Sequence, residues 1–263
     1  MPLLQLVILA LIQGLTEFIP VSSSAHLILP AQLIAGFEDQ GTAIDVAAHV
    51  GSLGAVILFF REEVASMARG IQDVAARRQT PERSLLLALF VATVPFLLIA
   101  PAIALLGVMD DLRSVTVIAW ASIVFGAALW LADRMPSRLH QLPDRAPPAL
   151  LIGISQCLAL IPGTSRSGIT ITAARALGYD RTEAARFSML MSIPAIGASG
   201  AYLALDAGAE QFAWSAIAIV AGLSFVSAYA AIGLFLRLTR SVSFTPFVIY
   251  RIALGAVLLL FFT

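Results

Sequence analysis

The chain has 263 residues, 59% of them hydrophobic and 12% charged, with a mean hydropathy of +0.92, far from the averages of soluble domains. Arginine supplies every basic residue and balances the acids to a formal charge of zero, so no global basic field points to nucleic acid. Cys157 is the only cysteine, which excludes an intramolecular disulfide and leaves no Cys/His pattern for structural zinc.

The apolar start Met1–Ile12 has no basic leader and runs at once into Gln13, Thr16 and Glu17, so it is expected to belong to the mature protein. The apolar stretch 3–35 is cut by Ile19-Pro20-Val21-Ser22-Ser23-Ser24-Ala25-His26, and each half is too short for a bilayer that needs about 20 apolar residues per helix. Uninterrupted apolar segments follow at 43–60, 84–107 and 115–133. A second cut stretch, 149–178, carries Ile161-Pro162-Gly163-Thr164-Ser165-Arg166-Ser167-Gly168 and is followed by spans at 187–205, 214–236 and 246–263. Non-helical backbone at membrane depth is tolerated only inside protein or beside a wet cavity. Each cut stretch is therefore expected to be a re-entrant helix-loop-helix hairpin, giving an all-α integral membrane protein of six transmembrane helices plus two hairpins.

Loop charge sets the orientation. Connections 61–83, 134–148, 175–186 and 237–245 hold nearly all the arginines, whereas 36–42, 108–114 and 206–213 carry Glu38, Asp39, Asp110, Asp111, Asp206 and Glu210 against the single Arg113. The positive-inside rule puts the first set in the cytoplasm. The sides alternate only if both hairpins return to the side they entered from, which places both termini outside. Gln13-Gly14-Leu15 and Ile19-Pro20 answer to Gln156-Cys157-Leu158 and Ile161-Pro162. One membrane domain, 1–263, is thus expected as two inverted repeats, about 1–133 and about 149–263, with one midplane site containing both breaks.

At that site Gln13 and Glu17 share a helix face one turn before Pro20, and a carboxylate in hydrocarbon usually faces a cavity; the plainer reading is that Glu17 only pairs with an arginine. Ser22, Ser23 and Ser24 offer hydroxyls within helical reach of His26, or one of them caps the following helix while His26 bonds a backbone carbonyl. Gly163, Thr164, Ser165, Arg166, Ser167 and Gly168 have the makings of an anion cradle at a helix N-terminus. Asp45, His49 and Arg251 also lie in or near spans, without a rank among them. His140 and the loop arginines are expected on a solvated surface.

At these residues the sequence resembles the undecaprenyl-diphosphate phosphatase, or bacitracin-resistance, family of bacterial inner-membrane enzymes. Gln13 to Glu17 is similar to its (Glu/Gln)-x-x-x-Glu motif, Pro20 to His26 to Pro-Val-Ser-Ser-x-x-His, and Pro162 to Thr170 to Pro-Gly-x-Ser-Arg-Ser-x-x-Thr. Ala25 departs from the Gly expected there, and Gln13 removes one potential carboxylate ligand. The resemblance implies hydrolysis of undecaprenyl diphosphate to the monophosphate carrier of cell-wall synthesis, a divalent cation such as Mg or Ca, and access from the external face; a homodimer is compatible with it. It implicates Gln13, Glu17, Ser22, Ser23, His26, Ser165, Arg166, Ser167 and Thr170. The working roles are Ser23 as nucleophile, His26 as acid/base, Glu17 as base or metal ligand, and Arg166 with Ser165 as phosphate stabilisers, with a metal-bound water as the alternative nucleophile. The competing function is a transporter or flippase for an anionic lipid or solute, which needs the charge clamp but no nucleophile.

Overall fold

In the computed structural model, residues 3–34, 36–37, 41–107, 112–206 and 214–262 are described. Eleven α-helices occupy them: α1 (Leu3–Thr16), α2 (Ser23–Leu33), α3 (Thr42–Phe59), α4 (Arg61–Ala75), α5 (Pro81–Leu105), α6 (Val115–Asp133), α7 (Ala146–Gln156), α8 (Arg166–Ala176), α9 (Arg181–Asp206), α10 (Trp214–Thr239) and α11 (Thr245–Phe261). A 3-10 turn, Cys157–Leu160, extends α7, and an isolated bridge between Leu139 and Tyr179 is the β-pairing among the described residues. By length and apolarity α5, α6 and α10 can each cross a membrane, and the bent pair α3–α4 makes a fourth candidate. The protein is a multi-pass α-helical membrane protein. The expected acidic connections fall largely outside the described residues.

Every expected span coincides with a helix, and local chemistry sets the ends. Thr80 caps α5 through the Arg83 amide with Pro81 in the first turn, Ser114 caps α6, and Asp180 accepts the Glu183 amide at 2.8 Å, starting α9 six residues before the apolar segment at 187. Connection 61–83 is not the loop expected: it contains α4, which leaves α3 at 83°. Half-buried Glu63, Val64, Met67 and Asp73 and buried Gly70 recur on one face of it, and Gly70 lies so close to the Glu82 carbonyl of α5 that an added Cβ would sit 2.7 Å away. Charges on the other face kept this helix below the apolarity of a span.

The two cut stretches are helix-break-helix units. At the first break Pro20 cannot continue α1, and Ser22, at φ 75°, accepts the Ala25 amide to start α2. At the second, Gly163 has φ 92° and Ser165, at φ 69°, accepts the Gly168 amide to start α8. Units pack in matching pairs, α1 on α10 and α7 on α5, while α3 meets α9 and α6 meets α11. Small residues permit the approach: a Cβ at Gly14 would be 2.5 Å from the Ser224 carbonyl, and one at Gly153 would be 2.2 Å from the Ala92 carbonyl.

The arginine-rich end is tied by Asp133, the last residue of α6. It takes Arg181 through both oxygens at 2.6 and 3.1 Å, accepts the Phe244 amide at 3.0 Å, and stands 3.6 Å from Arg175. Arg175 is 2% exposed and donates to the carbonyls of Asp133, Met135 and Tyr179. This corrects the expectation that the loop arginines are all solvated: Arg175 belongs to the interior, because the end of α6, the connection after it and the turn after α8 bring three carbonyls and one carboxylate around it. His140, by contrast, is exposed and pairs with Asp180.

Candidate active site

Between the breaks lies a cavity of about 540 Å³. Glu17, one residue past α1, is 7% exposed, and all its partners are oriented. Gln13, fully buried one turn earlier, donates to its Oε2 at 2.9 Å. Ser23, the first residue of α2, donates to the same oxygen at 2.8 Å. Across the gap Arg166, the first residue of α8, donates to Oε1 at 3.0 Å and to the Ser188 carbonyl of α9 at 3.1 Å. A carboxylate and a guanidinium from opposite halves thus meet where both helices start, with a hydroxyl beside them.

The structure separates the expected site residues into two groups. Glu17, Ser23, Ser165 and Arg166 line the cavity, as does Ser24. The others stand behind it. Ser22 caps α2. Ser167 reaches across to the Ile19 carbonyl at 2.9 Å, fastening one break to the other. Thr170 is buried against the Ser188 hydroxyl at 2.7 Å. The carbonyls of Gly163 and Thr164 accept from Arg251 at 3.0 and 2.7 Å. His26 does not meet Ser23: its Nδ1 lies 2.7 Å from the Ser22 carbonyl, and its other nitrogen meets the Tyr250 hydroxyl, with the two rings stacked at 5.6 Å.

The three unranked residues also divide. Asp45 and His49, one turn apart on α3, line the cavity, whereas Arg251 is fully buried and serves the α8 loop. Sequence reasoning missed Tyr250 and Ser188 as partners, and Gln32 and Arg113 as wall residues; Arg113 had a signal, being the single arginine of its connection. Gln32 donates to the Arg113 carbonyl at 3.0 Å. Leu27, Ile28, Phe96, Leu160 and Ile196 supply an apolar wall. Glu17 and Asp45 oppose Arg113 and Arg166, so the lining carries no net formal charge with His49 neutral.

The two breaks are built alike but armed differently. Ser22 and Ser24 hydroxyls lie 3.2 Å apart, and so do those of Ser165 and Ser167. Gln13 and Gln156 are both fully buried. Four residues on, however, the first half has Glu17 and the second has Leu160. The first break thus contributes the carboxylate and the hydroxyl, the second the guanidinium.

Residues 6–257 match the family described as bacitracin resistance protein BacA. The chain is 53% identical to an undecaprenyl-diphosphatase of Ruegeria pomeroyi, with 98% of each chain covered. It is 48% identical to one of Maricaulis maris over the full length of both, and 50% identical to one of Saccharophagus degradans over 97% of each. With the match spanning both breaks and every residue of the cavity, the chain belongs to the bacitracin resistance protein BacA family.

Proposed function

We propose that the protein hydrolyses undecaprenyl diphosphate to undecaprenyl phosphate and inorganic phosphate in the bacterial inner membrane, recycling the carrier for peptidoglycan synthesis and so conferring bacitracin resistance. The observation that carries this reading is the Ser23–Glu17–Arg166 constellation on an apolar-walled cavity, in a chain whose relatives are named undecaprenyl-diphosphatases. A translocator needs a charge clamp only; a hydroxyl held 2.8 Å from a carboxylate supplies in addition a nucleophile and its proton acceptor.

In this reading the terminal phosphate competes with Glu17 for Arg166, and the freed carboxylate takes the Ser23 proton. Ser23 Oγ bonds to the terminal phosphorus and the bond from phosphorus to the bridging oxygen breaks, so the lipid monophosphate leaves. Water then cleaves the phosphoserine, releasing inorganic phosphate. Arg166 stabilises the charge that builds on the phosphoryl oxygens. His26, held between Ser22 and Tyr250, is a positioning residue that fixes the serine turn, and Arg113 at the wall offers a second cation to the diphosphate.

A divalent cation, Mg or Ca, fits this wall in one way. Among the described residues no three His, Cys, Asp or Glu side chains converge, so a cation here would rest on one or two carboxylates together with the substrate. Magnesium takes one or two carboxylates plus substrate phosphates, and Glu17 and Asp45 both line the cavity. When bound, the cation neutralises the diphosphate and polarises its phosphoryl oxygens. A lining without net charge calls for such a partner before a polyanion enters.

The same reading takes the molecule as one membrane domain of six spans and two re-entrant hairpins in inverted repeats, with the cavity open to the external face. The matching pairs α1–α10 and α7–α5 support it, as do the two serine caps with positive φ and the presence of Arg113 in the wall. Purified protein should release phosphate from undecaprenyl diphosphate, and chelator should stop it. Ser23→Ala should abolish turnover, and rapid-quench mass spectrometry should find phosphate on the 22–26 peptide of the wild type. Substantial residual turnover without a phosphopeptide would transfer the attack to water.

A further inference from the structure

At the arginine-rich end a second cavity, of about 700 Å³, opens where α3 turns into α4. Phe59 and Phe60 at the bend, with Gly233 and Leu236 of α10, give it an apolar wall, and Arg61, Arg186, Arg237 and Arg240 surround it. These arginines are not equivalent. Arg186 is matched internally by Glu63 at 2.6 Å and Glu183 at 2.9 Å. Arg61, Arg237 and Arg240 are exposed, and their guanidinium groups enter no ion pair or hydrogen bond among the described residues. The remaining carboxylate of the rim, Glu62, lies in the first turn of α4, where the helix dipole favours it.

A corner between an apolar helix and an amphipathic one that leaves it at 83° is the geometry of a chain turning to lie along a bilayer surface. A free anion would have no use for the Phe59 and Leu236 wall, and an apolar ligand none for three unmatched guanidinium groups. Arginine forks suit phosphate oxygens, and the wall below them suits an acyl chain. We propose that this corner binds an anionic phospholipid, its phosphate held by Arg61, Arg237 and Arg240 and its chains laid against Phe59, Gly233 and Leu236. The site is independent of the hydrolytic reading and lies on the other side of the molecule's charge asymmetry from the cavity holding Arg166.

The contrasting view is diffuse charge, in which all arginines of this end attract anionic lipid equally. Arg69, Arg77 and Arg78 are exposed on the same stretch of chain but stand outside the cavity wall. The test titrates delipidated protein in detergent with phosphatidylglycerol or phosphatidylcholine and reads bound lipid by native mass spectrometry. Wild type should prefer phosphatidylglycerol. R61Q/R237Q/R240Q should weaken that binding about 10- to 100-fold, while R69Q/R77Q/R78Q should change it by less than about twofold. Both variants alter exposed side chains only, so both should fold. Equal losses in the two variants, or no lipid preference in the wild type, would overturn the site; displacement of phosphatidylglycerol by inorganic phosphate would reassign it to a free anion.

Discussion

Arg166 holds two acceptors at once, Glu17 from one half of the chain and the Ser188 carbonyl from the other. Lysine carries the charge but cannot reproduce a two-pronged planar grip. Arg166→Lys should therefore lose about 2–4 kcal/mol of transition-state stabilisation, a drop in kcat of order 10²–10³. Steady-state phosphate release measures it, and near-wild-type turnover would show that Arg166 is not the phosphate clamp. The sequence made Glu17, Ser23 and Arg166 legible because polar groups in an apolar chain are few and each must be accounted for. It could not show which neighbouring hydroxyls turn inward: Ser165 and Arg166 line the cavity, while Ser167 and Thr170, one and four residues further on, point to Ile19 and Ser188. Nor could it pair His26 with Tyr250, 224 residues away.

At the scale of the element, the α8 break depends on Arg251 as a peg from α11. Its guanidinium collects the Gly163 and Thr164 carbonyls, which the break leaves without helical partners, and Gly168 passes directly beside it. A Cβ at Gly168 would stand 2.7 Å from Arg251 Nη1 and 3.1 Å from Ser165 Oγ. Gly168→Ala should push the peg from the loop, at a cost of about 1–3 kcal/mol for overpacking, lowering both the thermal midpoint and turnover. A variant with wild-type melting and activity would mean the loop does not rely on that contact. The break itself was plain from Pro162 and the hydroxyl run, whereas the peg was not, because an arginine near the chain end resembles an interfacial anchor. Likewise α4 was hidden in a charged connection: its periodicity is amphipathic, and composition alone reads as loop.

For the whole molecule, the proposed inverted repeat draws on charge asymmetry and on the matching of α1–α10 with α7–α5, and it fixes the orientation. In a Cys157→Ser background, cysteines at exposed Gln72 of α4 and at Asp110 should react with an impermeant thiol reagent from opposite faces of the membrane. Reaction of both from one face would remove the inverted repeat.

The Asp133 junction makes stiffness uneven along the membrane normal. Ends of α6 and α8, starts of α9 and α11, and the turn between α8 and α9 are all cross-linked there by charge-assisted bonds, each about twice as strong as a neutral one. At the opposite ends of α6 and α11 the joint is apolar, through Ile118, Ala119 and Leu258 packed with Leu29 of α2. Under the proposed reaction, admission of a long isoprenoid tail is therefore expected to part α6 and α11 at the end away from Asp133 and to leave that junction intact.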